Sequence, residues 1–92
     1  MIIAAEHRQA FLRHIETLAQ ITRAEPGCIS FACYEDMAAP NAFIVLQQWE
    51  SRAALEQHEQ AEYLAEFKAN GGPMIVSGEE TRVYTVSPVG KL

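Results

Sequence analysis

Three histidines, two cysteines, a lone tryptophan and twelve carboxylates are what this chain of 92 residues offers to chemistry. Histidine is the side chain whose ordinary pKa, about 6.5, lets it exchange a proton near neutral pH. His58 is the first candidate for a general base. Its other reading is a packing or helix-surface residue, with Glu62 one turn on as partner. Trp49 is the second candidate, because an indole can stack on an aromatic ring while its N–H donates one hydrogen bond. The plainer reading of Trp49 is a large core residue at a strand end. His7 and His14 fall on or near the polar flank of a helical stretch and read as solvated surface. Arg82 can meet an anionic ligand, although the many carboxylates make an ion pair the simpler reading. Cys28 and Cys33 have no His or Cys at metal-ligand spacing. On one strand their odd separation points them to opposite faces, as two small apolar core residues. Nothing in the chain matches a phosphate loop, a dinucleotide fingerprint or a zinc site.

Charge narrows the partners. Seven Lys+Arg stand against twelve Asp+Glu, a net −5, and no basic run occurs. A nucleic-acid binder needs a positive stripe to displace counterions, and an anionic membrane asks for the same. Neither partner is expected. No apolar run approaches the length of a membrane span. Glu6, His7 and Arg8 follow directly on Met1–Ala5, so no signal-peptide core forms, and the cytoplasm is the expected location. The length fits a single domain over 1–92. A domain this small buries a modest share of its surface, which favours association with a copy of itself.

The elements that must position these residues follow from spacing. Phe11, Leu12, Ile15, Leu18, Ala19 and Thr22 form one stripe of a helix from about Glu6 to Ala24, stopped by Pro26 and Gly27. Cys28–Glu35 alternates as a strand, with Ile29, Phe31 and Cys33 on one face and Ser30, Ala32 and Tyr34 on the other. A turn around Pro40 and Asn41 leads to a second strand over 42–49, apolar on both faces at Phe43, Ile44, Val45 and Leu46. One face should carry the helices, and the other needs a cover that a second copy supplies. Ser51 caps a helix over 52–59, and another piece runs over about 61–69 until Asn70-Gly71-Gly72-Pro73. Residues 74–78 are ambiguous. Thr81–Val86 alternates as a last strand, and 87–92 is a tail that is loosely held or reaches onto a partner. Met1–Ala5 is all that remains for a first strand, which is short or missing.

Arg23-Ala-Glu-Pro-Gly-Cys-Ile-Ser-Phe31 resembles the helix-to-strand junction of the antibiotic-biosynthesis-monooxygenase family. Gln47-Gln-Trp-Glu-Ser-Arg-Ala-Ala-Leu-Glu-Gln-His58 is similar to its strand-to-helix segment, W-E-S/D followed by A-L-x-x-H. Tyr63, Leu64 and Phe67 fit its next helix. The likeness runs from about Glu6 to Val86, and by pattern the nearest members are small quinol monooxygenases and uncharacterised single-domain proteins. It implies a dimeric α+β barrel with a pocket in each subunit between sheet and helices. Some members oxidise polycyclic phenols or quinols with dioxygen and neither metal nor flavin. Others break down haem, isomerise a small phosphorylated metabolite, or have no known reaction, so the fold does not fix the chemistry.

Cofactor-free oxygenation sets its own requirements. Triplet dioxygen reacts slowly with closed-shell molecules, whereas a phenolate or enolate can pass it one electron and the radical pair then recombines. The protein must supply a base or hydrogen-bond partner for the anion and a dry slot for the ring. By the resemblance, His58 occupies the position that most often holds a histidine, where haem-degrading relatives have a tryptophan. Trp49 matches the family's strand tryptophan. Tyr34, Tyr63 and Phe67 are candidates to line the slot, with core packing as the other reading of each. Some positions depart from the pattern. Val45 stands where polyketide-oxidising members carry Asn, Leu55 where they carry Tyr, and Lys68 where haem-degrading members have a ligand His. The haem-degraders' first-strand Asn has no counterpart. Haem degradation is disfavoured, and the polyketide mechanism does not carry over as it stands.

The expected architecture is α+β and ferredoxin-like, an antiparallel sheet with helices on one face, in a dimeric α+β barrel. The expected activity is a cofactor-independent monooxygenase that uses dioxygen on a small aromatic, quinol or polyketide-like substrate. No cofactor or metal is expected, and the partner is a second copy. A non-catalytic dimeric metabolite-binding module is one alternative. A cofactor-free isomerase, which would want basic side chains in its pocket, is another. Convergence of His58 with a second polar group favours an enzyme, whereas a slot filled by Trp49, Phe67 and Tyr63 favours packing.

Overall fold

The computed structural model describes residues 1–78 and 80–90. The apolar stripe of the first helix, α1 (Arg8–Arg23), is buried at Phe11, Ile15, Leu18, Ala19 and Thr22. A short 3-10 turn over Ala5–His7 leads into it. After the turn at Glu25–Gly27 come β2 (Cys28–Glu35) and β3 (Phe43–Trp49), an antiparallel hairpin. Then follow α2 (Arg52–Glu59), α3 (Glu62–Gly71), a 3-10 turn over Gly72–Met74 and β4 (Ile75–Ser77).

The first strand is short rather than missing. β1 (Ile2–Ile3) pairs antiparallel with β4, and Ile2 bridges Ala42. Phe43 N donates to Met1 O at 2.8 Å and Ile3 N to Asn41 O at 2.9 Å. These bonds set the two strand pairs side by side in the order β4-β1-β3-β2, the ferredoxin-like arrangement. Ile3, Phe11, Ile15, Leu18, Phe31, Phe43 and Leu64 close the core between α1, α3 and one face of the strands.

Three expectations need correction. The last strand forms at Ile75–Ser77, in the ambiguous stretch, and Thr81–Val86 carries no strand. The turn at Gly72–Met74 returns the chain directly to β1, so residues 75–77 take the available edge. Val83, Tyr84 and Val86 are left exposed. In the tail, 87–90 are irregular and exposed, and 91–92 lie outside the described residues. Second, Cys28 and Cys33 both pack against the core. The register shifts between Cys28 and Ser30, and the extra residue of such a bulge reverses the odd-even rule. Ile29 is turned outward instead. Third, His14 is not solvated surface. Its ring stacks on Phe67 with centroids 4.2 Å apart, and its Nε2 lies 3.0 Å from the Phe67 carbonyl oxygen.

Candidate functional site

The turn after α1 is built to lie against α2. Gly27 has φ +84°, and a Cβ there would stand 2.6 Å from the Cβ of Ala54. Glycine is the residue that accepts both the left-handed backbone and the close approach. Glu50 N donates to Gly27 O at 2.8 Å, and Cys28 pairs with Trp49. Ser51 caps α2, its Oγ accepting from Ala54 N at 3.1 Å. These contacts bring the last turn of α2, with His58, against Glu25.

His58 is 1% exposed and Thr22 0%. The His58 Nδ1 hydrogen-bonds Glu25 Oε2 and lies 3.0 Å from the Tyr63 hydroxyl. Tyr63 donates to the same Glu25 oxygen at 2.5 Å, and Thr22 Oγ1 lies 3.3 Å from the Tyr63 hydroxyl. Burial, and then the bond to Glu25, push the Tyr63 phenol up to about 12, so it stays a neutral donor. The nearby Cys28 thiol is raised as well, chiefly by burial and then by Glu25, and is therefore a poor nucleophile. The Trp49 ring lies against the His58 imidazole at 4.8 Å, tilted by 33°. Its N–H is already spent on Gln47 Oε1 at 3.0 Å. Trp49 therefore covers the imidazole from one side and has no donor left for a guest.

Among the described residues His58 Nε2 makes no hydrogen bond. Among the described residues no fully enclosed side-chain nitrogen or oxygen lacks a partner either, so the residual access of His58 includes Nε2. The arrangement is a near-buried imidazole with one nitrogen engaged by a carboxylate and the other unbonded.

His58, Trp49 and Tyr63, three of the residues singled out from sequence, thus come together. Phe67 does not join them. It lines a separate cleft of about 150 Å³ between α1 and α3, with His14, Leu18, Ile21, Glu66 and Tyr63. Tyr63 is common to the cleft and the polar cluster. Tyr34 lies elsewhere, exposed on the outer face of the hairpin opposite Ile44. Glu62 is exposed and is not the partner of His58. Glu25 and Thr22 were not anticipated. The available signal was the carboxylate in the turn ahead of Gly27, since pairing Cys28 with Trp49 carries that turn towards the chain that leads to His58. Arg82 pairs with Glu80 at 2.9 Å. Among the described residues no group of three His, Cys, Asp or Glu side chains is placed to hold a metal.

The family model for antibiotic biosynthesis monooxygenase matches residues 1–70. The chain belongs to the antibiotic biosynthesis monooxygenase family. Its relatives include the uncharacterized protein sll1783 of Synechocystis, 31% identical over 92% of this chain and 58% of that protein. Another, from Escherichia coli, is named "Probable quinol monooxygenase YgiN" and is 33% identical over 63% of this chain and 64% of its own length. The chain therefore spans roughly three fifths of these relatives. The solved structure of Rv0793 from Mycobacterium tuberculosis superposes with a TM-score of 0.84 over 97% of this chain and 91% of that one, at 21% identity. That likeness bears on the fold. No helix among the described residues is long and apolar enough to cross a membrane.

Proposed function

We propose that this antibiotic-biosynthesis-monooxygenase domain is a cofactor-independent monooxygenase of a small hydroquinone-like phenol, with His58 as the base. One observation carries the reading: His58 has Nδ1 bound to a carboxylate and, among the described residues, Nε2 unbonded. Nε2 takes the phenolic proton, and the imidazolium so formed is stabilised by Glu25. The phenolate passes one electron to dioxygen, and the radical pair combines at a ring carbon. Loss of water from the hydroperoxide leaves one oxygen atom on the ring. For a simple hydroquinone the sum is hydroquinone plus dioxygen giving hydroxybenzoquinone plus water. The quinol itself supplies all four electrons, so no outside reductant is consumed.

Size favours a small substrate. The cleft beside Tyr63 measures about 150 Å³, a volume in which a single aromatic ring is accommodated. With His58 only 1% exposed, side chains around it must move for a ring to reach Nε2. The same burial favours a second reading, a non-catalytic binding module in which the cluster only pins the turn to α2.

The second copy is part of the proposal. Ile29, Tyr34, Ile44 and Leu46 are 60%, 55%, 62% and 56% exposed on the outward side of the hairpin. A patch of this kind supports pairing with another subunit.

A panel of hydroquinones, assayed with and without oxygen, separates the two readings. The expected result is oxygen-dependent turnover that falls by about 10²-fold or more in His58→Ala, the usual weight of a positioned base. Absence of turnover across the panel, or a His58→Ala rate equal to wild type, contradicts the oxygenase and leaves the binding module.

A further inference from the structure

We infer that Glu25 is the positioning residue that fixes which nitrogen of His58 carries the proton, with Tyr63 holding the carboxylate in place. This deepens the oxygenase reading and rests on it for its catalytic meaning, although the placement of the proton stands on geometry alone. A carboxylate accepts and does not donate. Tyr63 donates its hydroxyl hydrogen to Glu25 Oε2 at 2.5 Å. His58 Nδ1 also faces that oxygen. If Nδ1 carried a lone pair, it would point at a negative oxygen already engaged by the phenol. Nδ1 must therefore hold a hydrogen, shared between Glu25 Oε2 and the Tyr63 oxygen 3.0 Å away. In the neutral imidazole the lone pair then falls on Nε2, the one ring nitrogen without a partner among the described residues.

Free histidine favours the other tautomer, with its hydrogen on Nε2, and in that form Nε2 can donate but not accept. A carboxylate on Nδ1 reverses the preference and also stabilises the imidazolium formed after proton transfer, the division of labour in a base oriented by an acid. The groups facing the ring come from four elements. Glu25 stands in the turn, Tyr63 on α3 and Trp49 on β3, with the half-buried Cys28 thiol at the start of β2 beside Glu25 and Tyr63. Glu25 is the charged one among them. The phenol supplies the second restraint: it occupies Oε2, is backed by Thr22, and keeps the carboxylate from turning away.

The test reads the proton directly. Two-dimensional nitrogen-15 NMR of the imidazole assigns the hydrogen to Nδ1 or Nε2 without any substrate. Wild type at neutral or mildly alkaline pH is expected to show Nδ1–H. In Glu25→Gln the amide can donate to Nδ1 and drive the hydrogen to Nε2, so the tautomer inverts. Tyr63→Phe keeps the carboxylate and should keep Nδ1–H. In hydroquinone turnover Glu25→Gln should lose activity by about 10²-fold, with the pH profile displaced, and KM should change less than kcat. Hydrogen on Nε2 in wild type overturns the assignment. So does a Glu25→Gln spectrum identical to wild type. If Glu25→Gln does not fold, wild type and Tyr63→Phe still decide, because Nε2–H in either one contradicts the geometry. A protein with the expected tautomer and no turnover of any hydroquinone sinks the oxygenase and not the proton assignment.

Discussion

Glu35 and Arg8 show how a single pair responds to pH. Arg8 grips the Glu35 carboxylate from two nitrogens, and Asn41 N donates to it at 2.8 Å. These bonds, Arg8 first, lower the Glu35 pKa from its ordinary 4.5 to about 2. The pair's contribution is thus present above about pH 4.5 and is lost as pH falls through about 2. Acid unfolding followed by circular dichroism should reveal a component over that range that disappears in Glu35→Gln. Tyr63 works in the opposite sense. With its phenol raised from 10.0 to about 12, its contribution holds below pH 10 and is lost as pH rises through about 12. An absorbance titration should show a late phenolate step, and Tyr63→Phe should remove it. His58 and Trp49 were legible in the sequence because their side chains carry their chemistry wherever they sit. Glu25 was not, because one carboxylate among twelve acquires meaning only from the turn that aims it. Glu62, at helical spacing from His58, was the obvious guess and points away.

Among the elements, the turn and α2 determine whether the site exists. Gly27→Ala adds a methyl group 2.6 Å from the Cβ of Ala54, on a backbone with φ +84°. It should cost stability by more than the usual glycine-to-alanine gain of under about 1 kcal/mol, and with opposite sign. Because the displaced part is the joint between Glu25 and α2, the His58 tautomer should become mixed even where the variant folds. Ser51→Ala removes the cap on Ala54 N and should cost about 1 kcal/mol in chemical denaturation. α1 and α2 could be read from spacing and caps, since a long apolar stripe or a Ser at the N-terminus acts locally. The last strand could not. Thr81–Val86 has the better alternating pattern, yet a three-residue turn delivers Ile75–Ser77 to β1 first. Chain geometry decided between two candidate strands, and pattern alone does not contain it. The bulge at Ile29, likewise, is set by how β2 meets Trp49.

For the whole molecule, the unfinished face is the dominant feature. Helices cover one side of the hairpin, while Ile29, Tyr34, Ile44 and Leu46 face outward, each more than half exposed in a single subunit. Burying such a patch against a second copy yields roughly 25 cal/mol per Å² before association costs are met. Sedimentation is expected to give a dimer, and Ile44→Asp with Leu46→Asp a monomer of lower thermal stability. A wild-type monomer at micromolar concentration would refute this contact. The doubly apolar β3 made that face visible in the sequence, and a second copy as its cover was the expectation drawn from it. The central claim, a base poised on an unbonded nitrogen, is tested most directly by mixing the protein with a hydroquinone in the absence of oxygen and recording the ultraviolet spectrum near pH 7. The prediction is a phenolate band in wild type that is absent in His58→Gln. Bound hydroquinone that stays fully protonated in wild type, or an equal phenolate band in the variant, would contradict it.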